Sequence, residues 1–132
     1  MRVTADDHGC LVGYDAEVPC VVMRWTAYDP HGFRAANEQV LAEIAARGAD
    51  RLLGEMEALT NVRPADADWL AKDWIPRAVA AGLRHAALVT PAFELGHAPL
   101  QLVGERLPQW LALQYFDSVD AAREWLRAPS HK

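Results

Sequence analysis

Serine is nearly absent from this chain, which holds only Ser118 and Ser130. Ser118 precedes a helical pattern and fits the role of a helix cap, whereas Ser130 lies in the C-terminal tail. Serine catalysis needs a serine beside a histidine base, and the Gly-x-Ser-x-Gly turn of many hydrolases does not occur in the sequence. The usual arrangement for nucleophilic serine catalysis is therefore missing.

Cysteine is also scarce, and the familiar metal-binding and phosphate-binding patterns are missing. Cys10 and Cys20 lie in apolar, strand-like segments, where a buried thiol is unreactive. The five histidines are far apart, with no His-Glu-x-x-His motif and no cysteine pair at zinc spacing. No glycine-rich phosphate-binding loop occurs. We therefore expect no bound metal, no cofactor and no catalytic residue.

Positive charge and long apolar runs are limited as well. Thirteen Lys and Arg residues face eighteen Asp and Glu residues, a formal net charge of -5, and the cations are scattered. This balance opposes contact with a phosphate backbone, so nucleic acid is not an expected partner. No apolar stretch approaches the roughly 20 residues that span a bilayer, and no secretory signal pattern occurs. We therefore expect a cytoplasmic protein without an integral membrane segment.

What the sequence does contain is the composition of a globular domain. Its 132 residues, 52% of them hydrophobic, are enough for one core, without a linker or an internal repeat. Short apolar segments alternate with helical patterns in the order ββαβαβαβα. We predict a single α/β domain over residues 1–132, with a mixed, mostly parallel five-stranded sheet, about four helices and an antiparallel first strand at an edge. The predicted strands are residues 10–14, 18–26, 51–57, 85–90 and 111–116.

Four segments have the features of helices. Asp29-Pro30 is typical of a helix start, and Gly48 is typical of a helix end. A second helix is predicted over residues 66–82, and Pro76 within it should kink or split the helix, because proline lacks the backbone N–H. The other two predicted helices are residues 97–107 and the segment that follows Ser118.

Carboxylates are the remaining candidates for chemistry. Glu55 and Glu57 share one face of the third predicted strand, and Asp66 and Asp68 begin the next helix. Four acids near the carboxyl end of a strand can form an acid–base pair or bind a divalent ion. A structural interpretation is also open, since aspartates favour the positive end of a helix dipole. An uncharacterised carboxylate-dependent enzyme that uses Glu57 therefore stays an alternative.

Several short motifs in the second half of the chain resemble a known family. They are Asp68-Trp69-Leu70, Trp74-Ile75-Pro76-Arg77, the segment 81–87, and Phe116-Asp117-Ser118 followed by Ala121, Ala122, Trp125 and Leu126. Over about residues 10–127 the chain is similar to the bacterial SpoIIAA-like proteins, also described as STAS/SEC14 domain-containing proteins. The resemblance implies a mixed five-stranded sheet with helices around it.

The resemblance also implies two kinds of function. STAS domains of anti-sigma-factor antagonists bind protein partners and are switched by phosphorylation of a serine after the third strand. In this chain either Thr60 replaces that serine or Asp66 supplies a fixed negative charge. SEC14-type domains hold lipids in an apolar cavity, which implies a cavity for a lipid or small apolar ligand beside the helix that contains Pro76.

We therefore expect a non-enzymatic, regulatory STAS-like domain that recognises a protein partner through the loop and helix start after the third predicted strand. Open α/β sheets bind ligands at the carboxyl ends of their strands, which selects this region. A small apolar ligand or lipid beside Pro76 is the alternative. An exposed tryptophan and an edge strand are also compatible with a homodimer. The predicted contact residues are Tyr28, Thr60, Asn61, Asp66, Trp69 and Phe93.

Overall fold

A six-stranded mixed sheet forms the centre of the structure, a computed structural model that describes residues 2–59, 62–90 and 111–127. The strands are neighbours in chain order. The first three pair antiparallel and the third to the sixth pair parallel. The predicted α/β class with a mixed sheet is confirmed. The strands are β1 (Arg2–Asp7), β2 (Cys10–Asp15), β3 (Cys20–Trp25), β4 (Arg51–Glu55), β5 (His85–Val89) and β6 (Ala112–Phe116).

The sheet has six strands rather than the predicted five, because the polar start of the chain forms β1. Arg2, Thr4 and Asp6 are exposed along this edge strand, so it lacks the apolar alternation by which a half-buried strand is identified. His8 and Gly9 join it to β2 with φ angles of 57° and 77°. Two positive values in succession are what a type I′ hairpin turn requires. The first predicted strand is therefore β2, which lies inside the sheet and not at its edge.

Helix α1 (Phe33–Arg47) connects β3 to β4 and begins later than the predicted start at Asp29-Pro30. Asp29 forms a turn instead: its Oδ1 accepts the backbone N–H of His31 at 3.1 Å, and its carbonyl accepts that of Gly32 at 3.0 Å. The predicted end at Gly48 is confirmed. Gly48 adopts a left-handed conformation with φ of 60°, which closes the helix.

The second helical segment contains a wider turn just before Pro76. It consists of α2 (Pro64–Trp69), a π-helical turn (Leu70–Trp74) and α3 (Ile75–Ala80). The backbone N–H of Ile75 bonds to the carbonyl of Leu70, five residues back instead of the four of an α-helix. Pro76 has no N–H with which to continue the α-helical pattern. The predicted interruption is therefore a π-helical turn and not a break in the chain's helical path.

The last helix, α4 (Val119–Arg127), begins where the sequence predicts. Ser118 Oγ accepts the backbone N–H of Ala121 at 3.1 Å, so its predicted capping role is confirmed. The predicted helix over residues 97–107 lies outside the described residues.

Alternation of side chains along the parallel strands divides the core between the two faces of the sheet. Trp25 of β3 packs in the larger cluster, which also contains the inner faces of α1, α2 and α3. Val22 of the same strand belongs to the smaller cluster, together with Ala122 and Leu126 of α4. Helices thus cover both faces of the sheet. Because β3 and β4 are parallel, the loops that follow them lie at the same end of the sheet.

Within residues 2–59, 62–90 and 111–127, no helix has both the length and the apolar composition needed to cross a membrane.

Candidate functional site

Three of the six predicted contact residues lie together at the carboxyl ends of neighbouring parallel strands. Tyr28 follows β3, and Asp66 and Trp69 lie on α2, which follows β4. Arg34, in the first turn of α1, joins them. We refer to Tyr28, Arg34, Asp66 and Trp69 as the Asp66 cluster. Outside the described residues lie the other three predicted residues, Thr60, Asn61 and Phe93.

Asp66 is the buried centre of this cluster, since only 6% of the residue is exposed. Its Oδ2 accepts a hydrogen bond from the Tyr28 hydroxyl at 2.6 Å, and its Oδ1 accepts one from Arg34 Nε at 2.9 Å. A buried carboxylate is stable only when it is paired and hydrogen-bonded. Both oxygens are satisfied, so Asp66 holds a tyrosine and an arginine in fixed positions.

Tyr28 connects the cluster to the backbone of the loop that precedes α2. Its hydroxyl donates to Asp66 and accepts the backbone N–H of Arg63 at 3.1 Å. Its ring and that of Phe33 form a T-shaped pair, with 5.4 Å between the centroids. Burial and, next, donation to Asp66 raise the pKa of Tyr28 above its ordinary value. The phenol therefore keeps its proton at neutral pH and stays a donor.

Arg34 is held on two sides but remains half exposed. Its guanidinium carbon lies 5.2 Å from the centre of the Trp69 ring, a cation–π contact, while Nε bonds to Asp66. The side chain of Arg34 is 50% exposed, against 8% for that of Asp66. A second, longer bond runs from Nη2 to the carbonyl of Ala65 at 3.5 Å. The outer edge of the guanidinium is thus fixed in space and open to solvent.

Arg34 is absent from the residues predicted as contacts. It lies 32 positions from Asp66 in the chain, and no local motif indicates such a pairing. The sequence predicts the helix start at Asp29-Pro30, which places Arg34 in the second turn, beyond the reach of the helix dipole. In the structure Arg34 lies in the first turn of α1, and Asp66 is its partner.

The other acidic residues near these strand ends have separate environments. Glu55 pairs with Arg24 at 3.1 Å across β3 and β4. Asp68 pairs with Lys72 at 3.2 Å along the helix. Glu57 is exposed in the turn after β4. Among the described residues, no group of three or more His, Cys, Asp or Glu side chains is arranged to hold a metal ion.

Both cysteines are buried. Burial, with a further contribution from the charge of Asp15, raises the pKa of Cys20 to about 12. A thiol must lose its proton to act as a nucleophile. Cys20 is therefore held in its unreactive form, in agreement with the structural role that its apolar surroundings predict.

An apolar cavity of about 50 Å³ lies between the sheet and the helices of the larger cluster. Its walls include Trp25 of β3, Phe33 of α1, and Leu70 and Trp74 of the π-helical turn. It lies beside the π-helical turn that precedes Pro76. The ligand cavity that the resemblance to SEC14-type domains implies beside this helix stays a prediction. The volume of the apolar cavity is far below the roughly 300–1,000 Å³ of sites that bind drug-sized ligands.

Comparisons with known proteins add no identification: no protein-family model matches the chain, and neither does any curated protein. The similarity to SpoIIAA-like proteins thus stays a prediction from short motifs. Any functional conclusion depends on the geometry of the Asp66 cluster.

Proposed function

We propose that the protein is a non-enzymatic, regulatory binding domain that recognises a protein partner through the Asp66 cluster and the loop before α2. The observation that carries the proposal is the state of Arg34. Half of its side chain is exposed, while the buried Asp66 and the ring of Trp69 hold it in place. Thr60, Asn61 and Phe93 remain proposed contributors to the same surface.

A fixed arginine favours association because less freedom is lost when the partner binds. Ordering a long side chain at an interface costs about 0.5–1.5 kcal/mol, and Arg34 is already ordered. Tryptophan, tyrosine and arginine are also the residues that most often dominate binding energy at interfaces. The Asp66 cluster brings Tyr28, Arg34 and Trp69 together in one place.

The donors that Arg34 retains favour an acidic group on the partner. Its Nε and one Nη2 donor engage Asp66 and Ala65, and the remaining N–H groups belong to a side chain that is half exposed. Arginine binds carboxylates with two parallel hydrogen bonds when its edge is free. Arg63, exposed and bonded through its backbone to Tyr28, adds a second positive charge. We therefore expect a partner segment that presents an aspartate or glutamate.

The regulatory part of the proposal concerns Thr60. The resemblance to STAS domains implies either a phosphorylated residue at this point or a fixed negative charge at Asp66. Asp66 is buried and paired with Arg34, so the charge that the cluster exposes is positive. Phosphorylation of Thr60, three residues before Arg63, would add negative charge there and compete with the carboxylate of the partner.

Comparative affinity capture from lysate of the source cells tests the proposal. Arg34→Ala removes the exposed guanidinium, and Arg127→Ala is the matched control. Arg127 lies on α4, against the other face of the sheet, and its contact with Glu124 is long at 3.8 Å. We expect a protein that wild type and Arg127→Ala both capture and that Arg34→Ala loses. If wild type and both variants capture the same proteins and have equal thermal stability, the cluster is not the binding surface.

A further inference from the structure

An open groove of about 560 Å³ lies beside the turn that joins β2 to β3, at the end of the sheet opposite the Asp66 cluster. Its walls come from β1, β2, the β2–β3 turn, the last residue of α1 and the middle of α4. Sites for small molecules occupy roughly 300–1,000 Å³, so the groove has room for one. Its charged and aromatic lining consists of Arg2, Tyr14, Asp15, Glu17, Arg47 and Arg123.

One part of the groove has more acidic than basic groups. Arg123 Nη1 lies 3.0 Å from Asp15 Oδ2, and Arg123 Nη2 lies 3.2 Å from Glu17 Oε1. A single cation is thus shared between two carboxylates, which leaves one net negative charge. Asp15 is only 7% exposed, whereas the side chain of Glu17 is 80% exposed. The negative charge that a ligand can reach is therefore that of Glu17.

Two arginines lie beside Tyr14 in the same groove. The guanidinium carbon of Arg47 lies 4.3 Å from the centre of the Tyr14 ring, a cation–π contact. Arg2 is the cross-strand partner of Tyr14 in the β1–β2 pair. The side chains of such partners share one face of a sheet, with Cβ atoms about 4.5–5.5 Å apart. Both cations are therefore neighbours of one ring.

This second part of the groove has more basic than acidic groups. Arg47 Nε donates to Glu43 Oε2 at 2.6 Å, one turn earlier on α1. Arg2 is exposed, and among the described residues it has no ion-pair partner. Two cations with one acid leave one net positive charge. The groove therefore has a positive part at Arg2 and Arg47 and a negative part at Glu17.

We propose that the groove binds a small zwitterion, whose carboxylate contacts Arg2 and Arg47 and whose ammonium group contacts Glu17. A guanidinium with a free edge binds a carboxylate through two parallel hydrogen bonds. Glu17 is bound to Arg123 through Oε1, and its second oxygen can accept an ammonium donor. Amino acids have this chemistry. The site is at the opposite end of the sheet from the Asp66 cluster, so either proposal can fail without the other.

Titration with linear amino acids from glycine to 6-aminohexanoate, at constant ionic strength, tests the proposal. The backbone ¹H–¹⁵N signals of Tyr14 and Glu17 report on the two parts of the groove. For at least one chain length we expect both signals to saturate at the same concentration. That concentration should be at least about fivefold lower than for propionate or propylammonium, since each of these has only one of the two charges. Shifts that do not saturate, or that are equal for all these compounds, would overturn the proposal.

Three variants identify the groups responsible. Arg2→Gln and Glu17→Gln each remove one charged contact, so the affinity for the best amino acid should fall about tenfold in either variant. The control is Arg24→Gln, which loses the same charge as Arg2→Gln but lies at the carboxyl end of β3, away from the groove; its affinity should equal that of wild type. An unchanged affinity in Arg2→Gln and Glu17→Gln would overturn the proposal. Tighter binding of inorganic phosphate than of every amino acid would also overturn it, because the site would then select negative charge alone.

Discussion

Arg34 stacks on Trp69 across two different helices, with the guanidinium carbon 5.2 Å from the ring centre. Arg34 belongs to the first turn of α1, and Trp69 is the last residue of α2. The contact thus connects the helical segments that follow β3 and β4. Because Asp66 bonds to the same arginine, the surface between these helices is held by a cation–π contact and an ion pair together.

The first prediction concerns the strength of this contact. A double-mutant cycle of Arg34→Ala and Trp69→Ala should give a coupling free energy of about 0.5–1 kcal/mol, the usual value for a partly exposed cation–π pair. Urea unfolding of the four proteins measures it. The control cycle pairs Arg34→Ala with Trp125→Ala, on α4 at the other face of the sheet, and should show no coupling. If the coupling free energy between Arg34 and Trp69 is also zero, the stacking adds nothing to stability.

The second prediction concerns the buried carboxylate. Asp66→Asn keeps the size of the side chain but replaces one acceptor with a donor, so either Tyr28 or Arg34 loses its acceptor. We expect the free energy of unfolding to fall by about 1–3 kcal/mol, the cost of leaving a buried group unsatisfied. The control, Asp68→Asn, breaks an exposed pair with Lys72 and should cost under about 0.5 kcal/mol. Equal effects of the two variants would show that Asp66 does not brace the cluster.

The third prediction is a dependence of stability on alkaline pH. The pKa of Tyr28 is raised in the folded state by burial and by donation to Asp66. The native state therefore binds the phenolic proton more tightly than the unfolded chain, whose tyrosines titrate near pH 10. The resulting stabilisation is complete below about pH 10 and is lost as the pH rises through the folded pKa.

Tyr28→Phe isolates this contribution. The variant should be less stable than wild type at pH 7, and the difference should shrink as the pH rises from about 10 through the raised pKa of Tyr28. Tyr115, whose pKa is raised by burial, is present in both proteins and cancels in the comparison. Urea unfolding at several pH values measures the effect. A difference that stays constant over this range would contradict the raised pKa of Tyr28.

The fourth prediction concerns the thiols. Because both cysteines are buried and the pKa of Cys20 is raised to about 12, neither should react with a disulfide reagent at pH 8 while the protein is folded. Both should react after unfolding in urea. Absorbance of the released chromophore counts the thiols. Rapid reaction of the native protein would reveal an accessible thiolate, and Cys10→Ala or Cys20→Ala would identify it.

Local patterns in the sequence predict much of the fold, because the features that define these elements are themselves local. β2 to β6, the end of α1 at Gly48 and the cap at Ser118 follow from apolar alternation, a left-handed glycine and a helix-capping hydroxyl. The interruption of the α-helix at Pro76 is also predictable. Its form as a π-helical turn is not, since a proline inside a helical pattern is equally compatible with a kink or a break.

The candidate site is predictable only in part. Tyr28, Asp66 and Trp69 follow from the rule that ligand sites lie at the carboxyl ends of parallel strands. The role of Arg34 depends on a contact between residues 32 positions apart, and the separation alone gives no indication of it. The buried state of Asp66 was missed for the same reason. An aspartate in the first turn of a helix looks like a surface residue until its distant partners are known.

The polar character that hides β1 from sequence patterns also affects how the molecule meets its neighbours. An edge strand has unpaired backbone groups that can extend a sheet into another chain, and charged side chains along the edge oppose this. Arg2 and Asp6 are exposed on β1. Two copies joined along this edge in antiparallel register would have to desolvate these charges. These charges oppose edge-to-edge pairing along β1, so we expect a homodimer to use another surface.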